Sequence, residues 1–151
     1  MDSILSANIV RLRSTCRNRL LPVKARKNMY KKKPYKVRQG EIYYVDFSES
    51  RGSVQKGMRP VLITQNNRLN RELSTYVCVL LTTQIKRLDL REHVLLPEFK
   101  GLPRRSMAMA EQRATVDLEQ LLDYRGKVDW RTFCQINKAI RICERAAKKQ
   151  Y

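Results

Sequence analysis

Residues 41–81 read EIYYVDFSESRGSVQKGMRPVLITQNNRLNRELSTYVCVLL, and this stretch decides the fold. Three of its segments are rich in aromatic and β-branched residues, which favour strands: Glu41–Phe47, Arg59–Thr64 and Tyr76–Leu81. The third is apolar throughout, which is typical of a strand buried on both faces. Ser48–Met58 holds two glycines and little to bury, so it predicts a long loop between the first two strands.

Shorter patterns towards the C-terminus complete the predicted fold. His93–Leu96 and Ser106–Ala110 predict further strands, and Glu111–Val116 continues the second of them. A short helix is predicted through Leu118, Leu121 and Leu122. A longer amphipathic helix is predicted from Asp129, its expected N-cap, through Phe133, Ile136, Ile140, Cys143 and Ala147. The predicted fold class is α+β, mainly β: a small antiparallel barrel with a C-terminal amphipathic helix.

Charge divides the chain into two parts. The formal net charge is +18. Residues 1–36 hold eleven Lys and Arg and one acidic residue, whereas residues 37–151 hold 21 basic and 13 acidic residues. We predict a basic N-terminal extension over 1–36, flexible or partly helical, and a compact domain over 37–151. Because both parts are basic, the expected partner is a polyanion, with nucleic acid favoured over an anionic membrane surface.

The role of the first residues stays open on the sequence. Met1–Leu21 is Arg-rich, poor in acidic residues and mildly amphipathic, which fits an organelle transit peptide. The same composition fits a basic arm that docks on RNA, DNA or an acidic partner, and we favour the arm. No apolar stretch reaches the roughly 20 residues of a membrane-spanning helix. We therefore expect a cytoplasmic protein without a membrane partner.

Several catalytic arrangements are excluded by residues that the sequence lacks. It has no Walker-type loop and no Gly-x-Ser-x-Gly elbow, and its acidic residues are scattered rather than paired on one motif. The single histidine, His93, is expected at a surface or sheet edge rather than in catalysis. The cysteines, Cys16, Cys78, Cys134 and Cys143, form no Cys-x-x-Cys pair, and we expect buried free thiols. The sequence therefore predicts neither a metal site nor a cofactor.

Arginine and hydroxyl chemistry remains. RNA carries its own nucleophile, the 2′-hydroxyl, so an enzyme needs only to align it, neutralise charge at the phosphate and move protons. A guanidinium group offers a fork of donors that matches phosphate oxygens. Arg59 lies where the predicted loop enters a strand, and Thr82-Thr83-Gln84 follows the most apolar strand. The alternative, a surface salt bridge at Arg59 and a strand cap at Thr82, stays open on physical grounds alone.

Four segments resemble, in the same order, the MazF/PemK (Kid) family of type II toxins. The family pattern starts a strand with G-[DE]-[IV]-[YW] and continues with G-S-x-Q-x-G-x-R-P-V, T-[TA]-Q and [LA]-[ED]-Q. The matching segments here are Gln39–Tyr43, Gly52–Val61, Thr82–Gln84 and Ala110–Gln112. The resemblance covers about residues 38–147.

The resemblance implies an SH3-like (CcdB/PemK-like) barrel, a symmetric homodimer and sequence-specific cleavage of single-stranded mRNA without metal. The 2′-hydroxyl would attack the phosphate, leaving a 2′,3′-cyclic phosphate and a 5′-hydroxyl. Arg59 and Thr82 would be the catalytic residues, with Arg59 stabilising the transition state and Thr82 orienting the scissile phosphate. The implied RNA-binding positions are Ser53, Gln55, Gln84, Glu111 and Gln112.

The resemblance also implies partners besides RNA. An acidic antitoxin of the MazE/PemI type would fill the RNA groove with a flexible tail, and the basic domain over 37–151 suits such a partner. Operator DNA could be bound by the toxin–antitoxin complex. The alternative function is a non-cleaving, CcdB-like barrel that binds nucleic acid or gyrase. A basic ribosome-associated protein would explain the charge but not the motifs.

Two positions depart from the family pattern. Val54 stands where many relatives have Glu, and Ala114 stands where relatives commonly have Arg or Lys. Arg113 is one residue earlier, so it is expected on the opposite face of the strand. These departures bear on base preference and rate rather than on the class of reaction.

Overall fold

The structure is a computed structural model that describes residues 36–52 and 56–145. Several features named from the sequence lie outside these residues: the predicted extension up to residue 35, Ser53, Val54, Gln55 and Ala147. No helix in the described ranges is long and apolar enough to cross a membrane.

The described residues form one antiparallel sheet and two α-helices. The strands are β1 (Glu41–Asp46), β2 (Met58–Ile63), β3 (Thr75–Thr82), β4 (His93–Leu95), β5 (Met107–Asp117) and β6 (Leu121–Lys127). The helices are α1 (Asn67–Glu72) and α2 (Trp130–Cys143), and a 3-10 turn covers Leu118–Gln120. The strand order is β4-β5-β3-β2-β1-β6, and all neighbouring strands are antiparallel. The mainly-β fold class with a C-terminal helix is confirmed.

Both faces of the sheet are buried because the strands alternate between two apolar clusters. In β3, Cys78 and Leu80 enter the first cluster, whereas Val79 and Leu81 enter the second. The first cluster also takes Val61 of β2, and the second takes Leu62. The apolar run of β3 is thus explained as predicted, by burial on both sides.

The C-terminal helix covers the second cluster. Asp129 caps it, with its Oδ1 accepting a hydrogen bond of 2.9 Å from the Thr132 backbone N–H. Phe133 and Ile136 are buried in the second cluster, and Ile140 packs against it. The predicted N-cap and the spacing of three and four residues are confirmed.

One local prediction is wrong. The short helix through Leu118, Leu121 and Leu122 is only a 3-10 turn, and the chain then forms β6. Leu121 pairs with Val45 of β1 and enters the first cluster, so long-range pairing overrides the helical spacing of the leucines. In addition, the polar connection after β2 contains α1, whose N-cap is Asn66.

The cysteines in the described ranges differ in burial. Cys78 is buried in the first cluster, and this burial raises the pKa of its thiol to about 12. Cys143 is half-buried. Cys134 is exposed, so the prediction of a buried thiol is wrong there: its place on α2 faces away from the sheet.

Truncation of Ile136 measures how much the packing of α2 contributes to stability. Ile136 is fully buried between helix and sheet. We expect Ile136→Ala to lower the free energy of unfolding by about 2–5 kcal/mol and Ile136→Val by about 0.5–1.5 kcal/mol. The first value is larger because alanine leaves a larger cavity than valine. Urea denaturation followed by circular dichroism checks this. The neighbouring exposed Gln135→Ala is the control, and equal effects at 135 and 136 would contradict the packing.

Candidate active site

The register between β2 and β3 relates Arg59 to Thr82. Val61 pairs with Leu80 and Ile63 with Cys78, and the paired stretch ends at Val61 and Leu80. Extended by two residues, this antiparallel register would place Arg59 across from Thr82. Because side chains alternate along a strand, both residues share the face of Val61 and Leu80. Arg59 and Thr82 therefore lie at the same end of the sheet, which we call the catalytic end after the roles predicted for them.

Thr82 is the last residue of β3 and is only 6% exposed. Its Oγ1 accepts a hydrogen bond of 3.1 Å from the backbone N–H of Gln84. This bond fixes the hydroxyl oxygen and leaves the hydroxyl proton available for donation. The strand-cap interpretation is thus partly right, because Thr82 ends β3. Its hydroxyl group is in addition a hydrogen-bond donor whose oxygen is held in place.

Arg59 is half-buried near the start of β2 and pairs with Val45 of β1. Its Nε donates a hydrogen bond of 3.1 Å to the backbone carbonyl of Lys56. That bond fixes the plane of the guanidinium group. Within the described ranges Arg59 forms no ion pair, so its two terminal nitrogens are free to meet an anion. The salt-bridge interpretation is not supported among these residues.

A backbone hydrogen bond holds the two ends of the loop between β1 and β2 together. The Phe47 N–H donates to the carbonyl of Gly57 at 2.9 Å, which closes the base of the loop. Gly52 and Gly57 both have positive φ, of 71° and 79°, a conformation that other residues rarely adopt. The predicted RNA-binding residues Ser53 and Gln55 lie between these glycines, outside the described residues.

The other predicted RNA-binding residues lie at two places. Gln84 is exposed just beyond Thr82, at the catalytic end. Glu111 and Gln112 lie in a bulge of β5, since Leu80 pairs with Met109 but Val79 pairs with Arg113. Among the described residues, neither Glu111 nor Gln112 forms a hydrogen bond to Arg59 or Thr82. The structure therefore places Gln84 beside Thr82 and holds Glu111 and Gln112 further along β3.

The bulge brings Glu111 to His93, a pairing that the sequence did not indicate. His93 lies on the edge strand β4, as predicted for it, but its side chain is only 10% exposed. Nε2 lies 3.1 Å from Glu111 Oε1, and Nδ1 lies 3.0 Å from the carbonyl oxygen of Lys86. Burial lowers the pKa of His93, but these two acceptors outweigh it and raise the pKa above its usual value. His93 and Glu111 thus link the edge strand to the bulge.

The departure at Ala114 is explained by the two faces of β5. Ala114 packs against the first cluster. Arg113 points the other way and forms an ion pair of 2.6 Å with Glu144, at the end of α2. The predicted opposite orientation of these neighbours is confirmed, so Arg113 does not replace the basic side chain that the family pattern led us to expect at position 114. No group of three or more His, Cys, Asp and Glu within residues 36–52 and 56–145 is placed to hold a metal ion.

Comparison with known proteins identifies the family. The family model described as PemK-like, MazF-like toxin of type II toxin-antitoxin system matches residues 38–143. The chain belongs to this family. It is 34% identical over 107 residues to the endoribonuclease EndoA of Bacillus subtilis, covering 70% of this chain and 92% of that protein. It is 31% identical to the endoribonuclease MazF of Staphylococcus saprophyticus, covering 70% and 89%.

Solved structures agree with the family and the fold. An endoribonuclease from a mycobacterial species, in complex with its cognate antitoxin, superposes with a TM-score of 0.60 at 28% identity, covering 72% of this chain and 94% of that one. MazF from Deinococcus radiodurans superposes with a TM-score of 0.65 at 16% identity, covering 74% and 98%, which supports the fold alone. The predicted family is confirmed.

The His93–Glu111 pair predicts a pH dependence of stability. Because folding raises the pKa of His93, its contribution to stability is fully present below the unfolded value of about 6.5 and is lost as pH rises through the folded value. We expect His93→Gln to destabilise the protein more at about pH 5.5 than at about pH 9. Urea denaturation of wild type and variant at both pH values checks this. Glu111→Gln should also destabilise the protein more at the lower pH, whereas Glu119→Gln, at an exposed position, should not. Equal destabilisation by His93→Gln at both pH values would contradict the pairing.

Proposed function

We propose that this toxin is an endoribonuclease that cuts single-stranded RNA without metal, with Arg59 and Thr82 as its catalytic residues. The observation that carries the proposal is that each side chain is held by one backbone hydrogen bond, two residues beyond the paired Val61 and Leu80 at the same end of β2 and β3. The relatives named endoribonucleases support the activity. They do not support the alternative of a barrel that only binds nucleic acid or gyrase.

In the proposed reaction the RNA supplies the nucleophile. The 2′-oxygen forms a bond to phosphorus, the bond to the 5′-oxygen breaks, and one proton leaves the 2′-oxygen while another reaches the 5′-oxygen. The products are a 2′,3′-cyclic phosphate and a 5′-hydroxyl. The protein must stabilise the extra negative charge on the phosphate oxygens between these events.

Arg59 and Thr82 divide that work according to their chemistry. The guanidinium has a pKa above about 12, so Arg59 acts chiefly through charge and through the terminal N–H groups that Lys56 leaves free. Thr82 donates its hydroxyl proton to a phosphate oxygen, because Gln84 N–H already occupies an acceptor site on its oxygen. A buried donor that is already oriented needs little reorganisation when charge develops.

The proposed RNA groove runs from the catalytic end along β3 towards the bulge of β5. Gln84 contacts RNA at the catalytic end, together with Ser53 and Gln55 of the loop. Gln112 extends the groove. The side chain of Glu111 is paired with His93. We therefore propose that Glu111 holds β4 against the bulge at the edge of the groove.

The proposed partners follow from the family and from charge. We propose a homodimer that is inhibited by an acidic antitoxin. The structure of the mycobacterial endoribonuclease in complex with its cognate antitoxin supports an antitoxin partner. The toxin–antitoxin complex would bind operator DNA. Since its substrate is mRNA, the toxin would act in the cytoplasm. The family model begins at residue 38, which supports a boundary between the basic extension over 1–36 and the toxin domain over 37–151.

Substitution of the two proposed catalytic residues tests this function. We expect Arg59→Ala to slow cleavage of a long single-stranded RNA by about 10²–10³-fold, because one preorganised charged donor is lost. Thr82→Ala should slow it less, because a neutral donor is weaker, and Thr82→Ser should restore most of the rate. The measurement is RNA cleavage in the presence of EDTA, followed on denaturing gels.

Matched controls separate catalysis from folding and charge. Arg141 is exposed on α2, and Thr115 is exposed on β5 where it pairs with Val77, so Arg141→Ala and Thr115→Ala should cleave at the wild-type rate. Wild-type protein that shifts RNA but leaves it intact would reject the nuclease in favour of a binding protein. Cleavage that EDTA abolishes would reject the metal-independent reaction.

A further inference from the structure

Basic and aromatic residues cluster at the end of the sheet opposite Arg59 and Thr82. Three segments meet there, residues 36–40, 64–72 and 126–131. The Gly40 N–H donates to Ile63 O at 2.8 Å, the Gln39 N–H donates to Asn67 Oδ1 at 2.8 Å, and the Val128 N–H donates to Gly40 O at 3.0 Å. Since β1 separates the two ends by five residues, they lie about 17 Å apart.

These three segments hold six basic and two acidic residues. We call the six the basic end: Lys36, Arg38, Arg68, Arg71, Lys127 and Arg131. All six are exposed, and none forms an ion pair in the part of the chain that the structure describes. One of the two acids, Asp129, is engaged as the N-cap of α2. The basic end thus presents positive charge that the described part of the protein does not neutralise.

An exposed aromatic side chain, that of Trp130, lies among these basic residues. Trp130 is 74% exposed, the most of the large apolar side chains described, although burial would normally be favourable for so large a ring. One face of the indole stacks on Phe133, with ring centroids 5.9 Å apart and an angle of 30° between planes. The ring is therefore held in place with its other face open to solvent.

We propose that Trp130 and the basic end form a second binding surface for single-stranded RNA, separate from the catalytic end. A base would stack on the open face of Trp130, and the surrounding Lys and Arg would contact the phosphates on either side. A stacking ring within positive charge is the combination that binds single strands without sequence preference. This inference rests on the proposed function only for the choice of RNA, since the surface itself is independent of Arg59 and Thr82.

The geometry favours a single strand over other anionic partners. A membrane surface is usually met by several apolar side chains that insert together. Here, among the residues that the structure describes, only Leu73 accompanies Trp130 as an exposed large apolar residue on or next to the three segments. An acidic peptide would match the charge but would leave the flat indole face without a stacking partner, whereas every nucleobase supplies one.

The enzyme would therefore bind RNA at a distance from the site of cleavage as well. A strand long enough to reach both ends would gain affinity from the basic end, and a strand that covers only the catalytic end would not.

The fluorescence of Trp130 tests the proposal directly, because it is the only tryptophan in the chain. The probe is RNA with methylated 2′-oxygens, which cannot be cleaved, in lengths of about 4 and about 16 nucleotides. In the full-length protein we expect saturable quenching by the longer RNA, weakening with salt. The basic sequence 1–35 can bind RNA without stacking on Trp130, so quenching isolates this surface.

Variants measure the affinity of a dye-labelled longer RNA. We expect Trp130→Ala to weaken binding about fivefold or more and Trp130→Phe to restore most of it, because stacking is kept. Lys127→Ala and Arg131→Ala should each reduce the slope of log affinity against log salt by about 0.7. Tyr124→Ala, at another exposed aromatic residue, and Arg141→Ala, at an exposed position in the last turn of α2, are the controls and should change neither quantity.

The outcomes separate this inference from the proposed nuclease. Quenching without cleavage of ordinary RNA would reject the nuclease and keep the surface, whereas cleavage without quenching would overturn the surface alone. Quenching by anionic vesicles or polyglutamate but not by RNA would also overturn it. So would a change from dimer to monomer in Trp130→Ala, measured by light scattering, because a second copy would then cover the ring.

Discussion

The burial of both faces of β2 and β3 is the constraint on which the rest of the structure depends. Leu62 and Val79 serve one apolar cluster, and Val61 and Leu80 serve the other. A shift in register by one residue would exchange every side chain between the clusters, so the register is strongly determined. The position of the proposed catalytic residues at the same end of the sheet follows from this register. They need no bond to each other, since the core already aligns the strands that hold them.

The parts of the fold that were predictable from sequence depend on short-range patterns. Strands β1 to β3 show as aromatic and β-branched runs, and α2 shows by its cap at Asp129 and its apolar spacing. The strand β6 was not predictable, because the spacing of Leu118, Leu121 and Leu122 is helical while Leu121 is held by Val45, distant in sequence. Pairing energy from distant residues decided the outcome there, and no local pattern contains it.

The candidate site divides in the same way. Arg59, Thr82 and Gln84 were identified from local motifs, and the paired strands β2 and β3 carry them at the same end of the sheet. The pairing of His93 with Glu111 was missed because it requires the bulge of β5, which adds residues on one strand without a signal from glycine or proline. A lone histidine was rightly placed at a sheet edge, but its burial and its partner depend on the irregular pairing beside it.

The distribution of positive charge connects the site to the surface around Trp130. The strand has a core methyl group at Ala114, and Arg113 faces α2, where its charge is matched by Glu144. Among the described residues, the basic end carries exposed side chains that form no ion pair, about 17 Å from Thr82. Others lie near Thr82: Lys86 follows β3, and Arg104 and Arg105 come just before Met107, which pairs with Thr82. A nuclease with positive charge at both ends of the sheet would bind longer strands more tightly, because affinity gained at the distant surface does not depend on the bases at the cut.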